Sequence, residues 1–166
     1  SLPQPSPVDI GLLMYTSGTT GPPKGVLLSH ANLLASARSV AAWHGLTDRD
    51  RVLSSLPLYH INGQVIATLT PFLSGGSIVA PHRFSVHQWW DLVARHECTW
   101  INMVPTIIAY LLAGTDARSF PSLRFGRSAS APLPPEHTAQ IGMPVNSPTV
   151  PDTSTVWITS APTFQK

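Results

Sequence analysis

The sequence predicts an α/β fold, a mostly parallel sheet with flanking helices. Short apolar runs alternate with helical stretches along the chain, which is the pattern of strands crossing over through helices. The first clear run, Val8 to Tyr15 (VDIGLLMY), is apolar over nearly its whole length, as a strand buried on both faces would be. Charged residues make up only 11% of the 166 residues, against roughly 25% in an ordinary soluble domain, and hydrophobic residues make up 43%. So few charges suit a piece whose surfaces face other protein.

Residues 1–7, with Pro3, Pro5 and Pro7, read as a linker or cut edge. The strand Val8 to Tyr15 then runs into a loop rich in Gly, Thr and Pro, and Ser29 is a candidate N-cap for a helix reaching about His44. Arg51 to Leu56 is a second strand, closed by Pro57. A helix follows Asn62-Gly63 and breaks at Ser74-Gly75-Gly76, ahead of a strand over Ser77 to Ala80. Ser85 opens another helix through Trp89 and Trp90, which read as core. Thr99 to Val104 is the fourth strand, Pro105 suits the first position of the next helix, and Leu123 to Arg127 is a fifth strand. From Thr138 to Lys166 the chain carries four prolines and only Asp152 and Lys166 as charges, so residues 138–166 read as an irregular tail, with Val156-Trp157-Ile158 as one candidate edge strand.

The formal net charge of +2 comes with no cluster of Lys or Arg, which argues against a nucleic-acid or membrane-surface partner. No apolar stretch approaches the roughly 20 residues that span a bilayer. One cysteine, Cys98, excludes an internal disulfide and a cysteine metal cluster, and reads as a core residue. His82, His87 and His96 have no regular metal spacing and read as surface residues. The expectation is a soluble, cytoplasmic protein.

Residues 15–25 read YTSGTTGPPKG. Gly18 and Gly21 let the backbone turn its N–H groups into one concavity, and Thr16, Ser17, Thr19 and Thr20 add hydroxyl donors. Lys24 adds a mobile positive charge suited to departing pyrophosphate. Set between a strand and a helix, such a loop binds phosphate. It is not a Walker A loop, because Pro23 stands at the second glycine's place and Gly25 follows Lys24 where Ser or Thr belongs.

This string resembles the signature loop of the acyl-adenylate-forming superfamily, and further motifs resemble its acid–CoA ligase branch. Leu56-Pro57-Leu58-Tyr59-His60-Ile61-Asn62-Gly63 is similar to the second core motif of those ligases, whose aromatic–His pair borders the acyl pocket. Met103-Val104-Pro105-Thr106 resembles the element before a pocket helix. Ser128-Ala129-Ser130-Ala131-Pro132-Leu133 resembles the segment that runs against adenine, with Ala129 where glycine is usual.

The resemblance implies an incomplete part of the large N-terminal domain of an adenylate-forming enzyme, over residues 8–137. It implies ATP and Mg2+ as cofactors, CoA as co-substrate, and a small-molecule carboxylic acid as substrate. Lys24 and His60 are the expected catalytic residues. Thr16, Ser17, Gly18, Thr19, Thr20, Gly21, Lys24, Ser130, Ala131 and Pro132 are expected to bind nucleotide, and Tyr59, His60 and Thr106 to line the acid's pocket. No magnesium ligand is found: the family's aromatic-Gly-x-Thr-Glu motif is missing, and the only glutamates are Glu97 and Glu136. The family's C-terminal domain, with its lysine, is missing as well. The expected activity is acyl-adenylate formation for transfer to CoA, incomplete in this chain. The alternative is a non-catalytic remnant that binds a nucleotide or a partner.

Overall fold

The computed structural model describes residues 4–16, 24–114, 120–129, 137 and 145–146. It opens on an antiparallel hairpin, β1 (Ile10–Thr16) with β2 (Lys24–Ser29), in the register Leu13 opposite Leu27 and Thr16 opposite Lys24. This corrects the sequence reading twice. The loop joins two strands of a hairpin instead of a strand and a helix, because Val26-Leu27-Leu28 pairs back along β1. The strand is also exposed on one face instead of buried on both, with Ile10 at 55% and Tyr15 at 66% while Leu12 and Met14 are half-buried.

Helix α1 (His30–His44) starts as expected at Ser29, which closes a capping box with Asn32: Ser29 N–H donates to Asn32 Oδ1 at 3.1 Å, and Asn32 N–H to Ser29 Oγ at 3.2 Å. Gly45 ends it in the left-handed region at φ 56, with Leu46 N–H returning to Ala41 O at 2.9 Å.

The second sheet is wholly parallel: β3 (Arg51–Leu53), β4 (Ser77–Val79), β5 (Trp100–Met103), β6 (Phe125–Ser128) and β7 (Val145–Asn146), in the order β4-β3-β5-β6-β7. A π-helix over Asn62–Leu69 runs into α2 (Thr70–Leu73) and links β3 to β4. Helices α3 (Val86–Arg95) and α4 (Pro105–Gly114) link β4 to β5 and β5 to β6. The first connection runs to one side of β3 and the next to the other, so the order reverses between β3 and β5. Val145–Asn146 adds an edge strand that the sequence reading left within its irregular tail; residues 156–158 lie outside the described residues.

Side chains alternate across the strands and build two cores. Leu53, Ile101 and Met103 face α3 and α4, where Trp89, Trp90, Val93, Cys98, Ile108 and Leu111 are buried. Burial pushes the Cys98 thiol up to about 11, so it is a neutral core group. His82 and His87 are exposed and His96 is half-buried. On the other face Val52, Trp100 and Phe125 pack with Leu46, Ile66 and Ile78. His44 lies over them, its ring 4.8 Å from that of Phe125. Among the described residues no helix is long and apolar enough to cross a membrane.

The amino ends of the strands are tied by Asp50, which is 3% exposed. Its carboxylate accepts from Thr47 N–H at 2.8 Å and Thr99 Oγ1 at 2.7 Å, and pairs with Arg124. Burial raises its pKa, but these donors outweigh burial and hold it below the usual carboxylate value. Arg124 is half exposed and can turn to water, but removing the carboxylate leaves the Thr47 N–H and the Thr99 hydroxyl without their acceptor, so Asp50→Ala is expected to cost about 2 kcal/mol in urea unfolding at pH 7. Burial, with Arg127 and Arg124 nearby, lowers His44 to about 4 from 6.5. The unfolded chain therefore binds the proton more readily, and stability falls as pH drops from about 6.5 towards 4. His44→Phe is expected to flatten that part of the stability-versus-pH curve.

Candidate active site at the carboxyl edge of the sheet

In an open α/β sheet, ligands bind outside the carboxyl ends of the strands where the strand order reverses. Here that point lies between β3 and β5. The chain leaving β3 there is the LPLYHING segment, and the chain leaving β5 is Val104-Pro105-Thr106.

The first segment is folded tightly by its own backbone. His60 N–H donates to Pro57 O at 3.1 Å, and Gln64 N–H to His60 O at 3.0 Å. A Cβ on Gly63 would strike the Pro57 carbonyl oxygen and lie 2.9 Å from that of Leu56. Only glycine lets the helix start so close over the strand exit. The wide π turns that follow are held by threonine hydroxyls reaching five residues back, Thr68 Oγ1 to Gly63 O at 2.9 Å and Thr70 Oγ1 to Val65 O at 3.0 Å. Single π turns of this kind are frequent at functional sites. Tyr59 and His60 stand exposed at the bend with ring centroids 4.6 Å apart. Thr106, also exposed, sits in the first turn of α4 behind Pro105.

Behind the bend lies a buried polar cluster that the sequence reading missed. Arg127, 7% exposed, donates from Nη1 to Asn62 Oδ1 at 3.0 Å and to Asn102 Oδ1 at 3.1 Å. Asn102 Nδ2 donates to Asn62 Oδ1 at 3.1 Å. The cluster joins the start of the π-helix to β5 and β6. Burial lowers the Arg127 guanidinium to about 10, so it stays charged at neutral pH. Polar atoms at this edge are also left over: Ser55 Oγ, Gln64 Oε1 and Ser128 Oγ are buried with no hydrogen-bond partner. The available signals were two polar residues inside apolar strands, WINM and FGRS, and a charge within the second.

The remaining expected residues divide between the hairpin and the undescribed stretches. Thr16 and Lys24 face each other as the last pair of the hairpin, closing the loop between them. Ser17, Gly18, Thr19, Thr20 and Gly21 lie outside the described residues, as do Ser130, Ala131 and Pro132. Among the described residues no three His, Cys, Asp or Glu side chains come together to hold a metal. The acidic Asp50 sits at the opposite edge, so the described residues do not form a magnesium site.

A profile of the family described as AMP-binding enzyme matches residues 1–143. The chain is 57% identical over 136 residues to a sulfoacetate–CoA ligase of Cupriavidus necator, covering 82% of this chain and 27% of that protein. It is 36% identical to an oxalate–CoA ligase of Saccharomyces cerevisiae, covering 84% and 26%. Among solved structures, O-succinylbenzoate coenzyme A synthetase of Bacillus subtilis in complex with ATP and magnesium ion superposes with a TM-score of 0.76 at 39% identity, covering 84% of this chain and 30% of that one. The chain thus spans about a quarter of the length of the curated relatives it matches.

Since Gly63 has carbonyl oxygens where a side chain would go, Gly63→Ala is expected to cost about 3 kcal/mol of stability and to shift the His60 resonances in a 1H–13C spectrum. Unchanged His60 shifts would mean that the bend is not set by this contact.

Proposed function

This chain belongs to the AMP-binding enzyme family, and on that premise we propose that it carries the phosphate-gripping and acid-facing part of an acid–CoA ligase. In the proposed reaction a substrate carboxylate attacks the α-phosphorus of ATP, pyrophosphate leaves, and the thiol of CoA then displaces AMP from the acyl-adenylate. The observation that carries the reading is the strand-order reversal, with Tyr59, His60 and Thr106 emerging on its two sides.

Each residue has a separate task in this scheme. Thr16, Ser17, Gly18, Thr19, Thr20 and Gly21 hold the phosphates, and Lys24 steadies the charge on the leaving pyrophosphate. His60 borders the acid's carboxylate and donates a hydrogen bond to it, with Tyr59 and Thr106 walling the approach. Ser130, Ala131 and Pro132 run along adenine. Relatives named for sulfoacetate and oxalate support an acid as the substrate, since both names denote small acids activated as CoA thioesters. Bound magnesium would offset phosphate charge, but no step here is assigned to it, because the described residues supply no ligand set.

One observation favours a second reading, nucleotide binding without turnover: the chain spans about a quarter of its relatives' length. The two are separated by measuring binding and chemistry apart. Isothermal titration with ATP is expected to give weak binding that Lys24→Ala lowers by about tenfold, the worth of one charge-assisted contact. Pyrophosphate release over a panel of acids is expected to be negligible. Robust release that disappears in Lys24→Ala would establish turnover by this chain. ATP binding indifferent to Lys24→Ala would refute the proposed grip.

A further inference from the structure

Two arginines three residues apart, one just before β6 and one within it, are treated oppositely. Arg124, at the amino edge, pairs with the Asp50 carboxylate. Arg127, at the carboxyl edge, is buried against the neutral amides of Asn62 and Asn102. No carboxylate lies within ion-pair distance of it among the described residues, and the side chains that accept from its Nη1 are both uncharged amides. Burying a charge without a counter-charge is costly, and proteins tolerate it where an anion completes the site. Ser128 Oγ, fully buried beside it in sequence, is unpartnered, as is Gln64 Oε1 two residues beyond Asn62.

The place of this charge is chemically specific. Asn62, which Arg127 holds, follows His60 by two residues and opens the π-helix. The guanidinium is thus one hydrogen bond behind the segment that presents Tyr59 and His60, at the edge where the strand order reverses. His44, on the same face, feels its field. A monocarboxylate bound at His60 leaves that field uncompensated, whereas a second anionic group on the same small acid neutralises it.

We propose that Arg127 is a specificity-determining residue, selecting small acids that carry a second anionic group, a carboxylate or a sulfonate, beside the carboxylate to be activated. This rests on the acid–CoA ligase reading and narrows its substrate class. Asn62 and Asn102 are the positioning residues: they hold Nη1 and, being neutral, leave the guanidinium charge uncompensated.

The test compares acids of equal shape and different charge, in metal-free buffer with the full chain, by NMR titration. Oxalate is set against oxamate, and sulfoacetate against methylsulfonylacetate. The dianions are expected to bind about tenfold more tightly than their singly charged isosteres, the worth of one charge-assisted contact. Arg127→Gln, which keeps a donor to the two asparagines, is expected to bring the ratio near one. Arg127→Lys is expected to retain most of it. The preference should survive Lys24→Ala, which separates it from anion binding at the phosphate loop. A wild-type ratio near one overturns the inference, and so does a preference lost in Lys24→Ala but kept in Arg127→Gln. Should Arg127→Gln fail to fold by circular dichroism, the wild-type ratio and Arg127→Lys decide. ATP titration of the same samples reports on the ligase reading separately: ATP binding that depends on Lys24, with no acid preference, removes this inference and leaves that reading standing.

Discussion

The parallel sheet is covered on both faces, and this constraint governs the rest of the molecule. Leu53, Ile101 and Met103 meet α3 and α4 on one side, while Val52, Trp100 and Phe125 meet the other core. A strand so enclosed can place polar side chains only at its ends, and each must find a partner inside the protein or in a ligand. At the amino ends the charged and hydroxyl side chains meet this requirement internally, although the Trp100 indole N–H at the start of β5 is buried without a partner. Asp50, Thr99 and Arg124 form a closed set, and Arg51 donates to Ser77 Oγ at 2.9 Å and to the His96 carbonyl oxygen. At the carboxyl ends it is not met: Arg127 has only amides, and Ser55, Gln64 and Ser128 retain unpaired atoms. Charge pairing is concentrated at one edge and the unpaired hydroxyl and amide oxygens at the other. That division is what a binding site built on a rigid scaffold requires.

The bend after β3 couples the two halves of this arrangement. Gly63 brings the π-helix against the Leu56 and Pro57 carbonyls, so the backbone carrying Tyr59 and His60 is tied to the helix start. Asn62 then ties the helix start to β5 and β6 through Asn102 and Arg127. The segment carrying His60 is therefore held by its own backbone contacts and, through Asn62, by residues 40 and 65 positions beyond that asparagine. A side chain that must meet a substrate at hydrogen-bond distance needs this rigidity, since small misplacements lose large factors in rate.

Much of this was legible because local chemistry decides it. Ser29 at a cap, Pro105 at a helix start, the Ser74-Gly75-Gly76 break and the buried Trp89 and Trp90 all follow from properties of single residues or short windows. The motif residues Tyr59, His60 and Thr106 could be picked out by resemblance, and the fold then shows on which edge they emerge. What stayed hidden depends on partners far along the chain. Lys24 to Ser29 has the composition of either a loop end or a strand, and only pairing with β1 decides. Whether that hairpin is buried depends on what covers it, which apolarity cannot reveal. Arg127 and Asn102 look like surface residues of short strands until topology brings them against Asn62, 65 and 40 residues earlier.

The hairpin shows how the same physics limits binding. Two-stranded hairpins are marginal alone in water, and β1–β2 is supported by α1 on one side while Ile10, Leu13, Tyr15 and Leu27 face solvent. Its register is fixed by six paired positions and by the capping box at Ser29, so the Thr16–Lys24 pair is held through the hairpin's own hydrogen bonds. Under the proposed reading, a triphosphate bound over this pair would also have to supply the free energy that keeps the marginal hairpin closed. Each residue so ordered costs about 1–2 kcal/mol of backbone entropy, comparable to one charge-assisted hydrogen bond. Under that reading, affinity for ATP would depend on how firmly the hairpin is held as well as on the hydroxyls around the phosphates. Cover over its apolar outer face would raise that affinity with no new contact to the nucleotide.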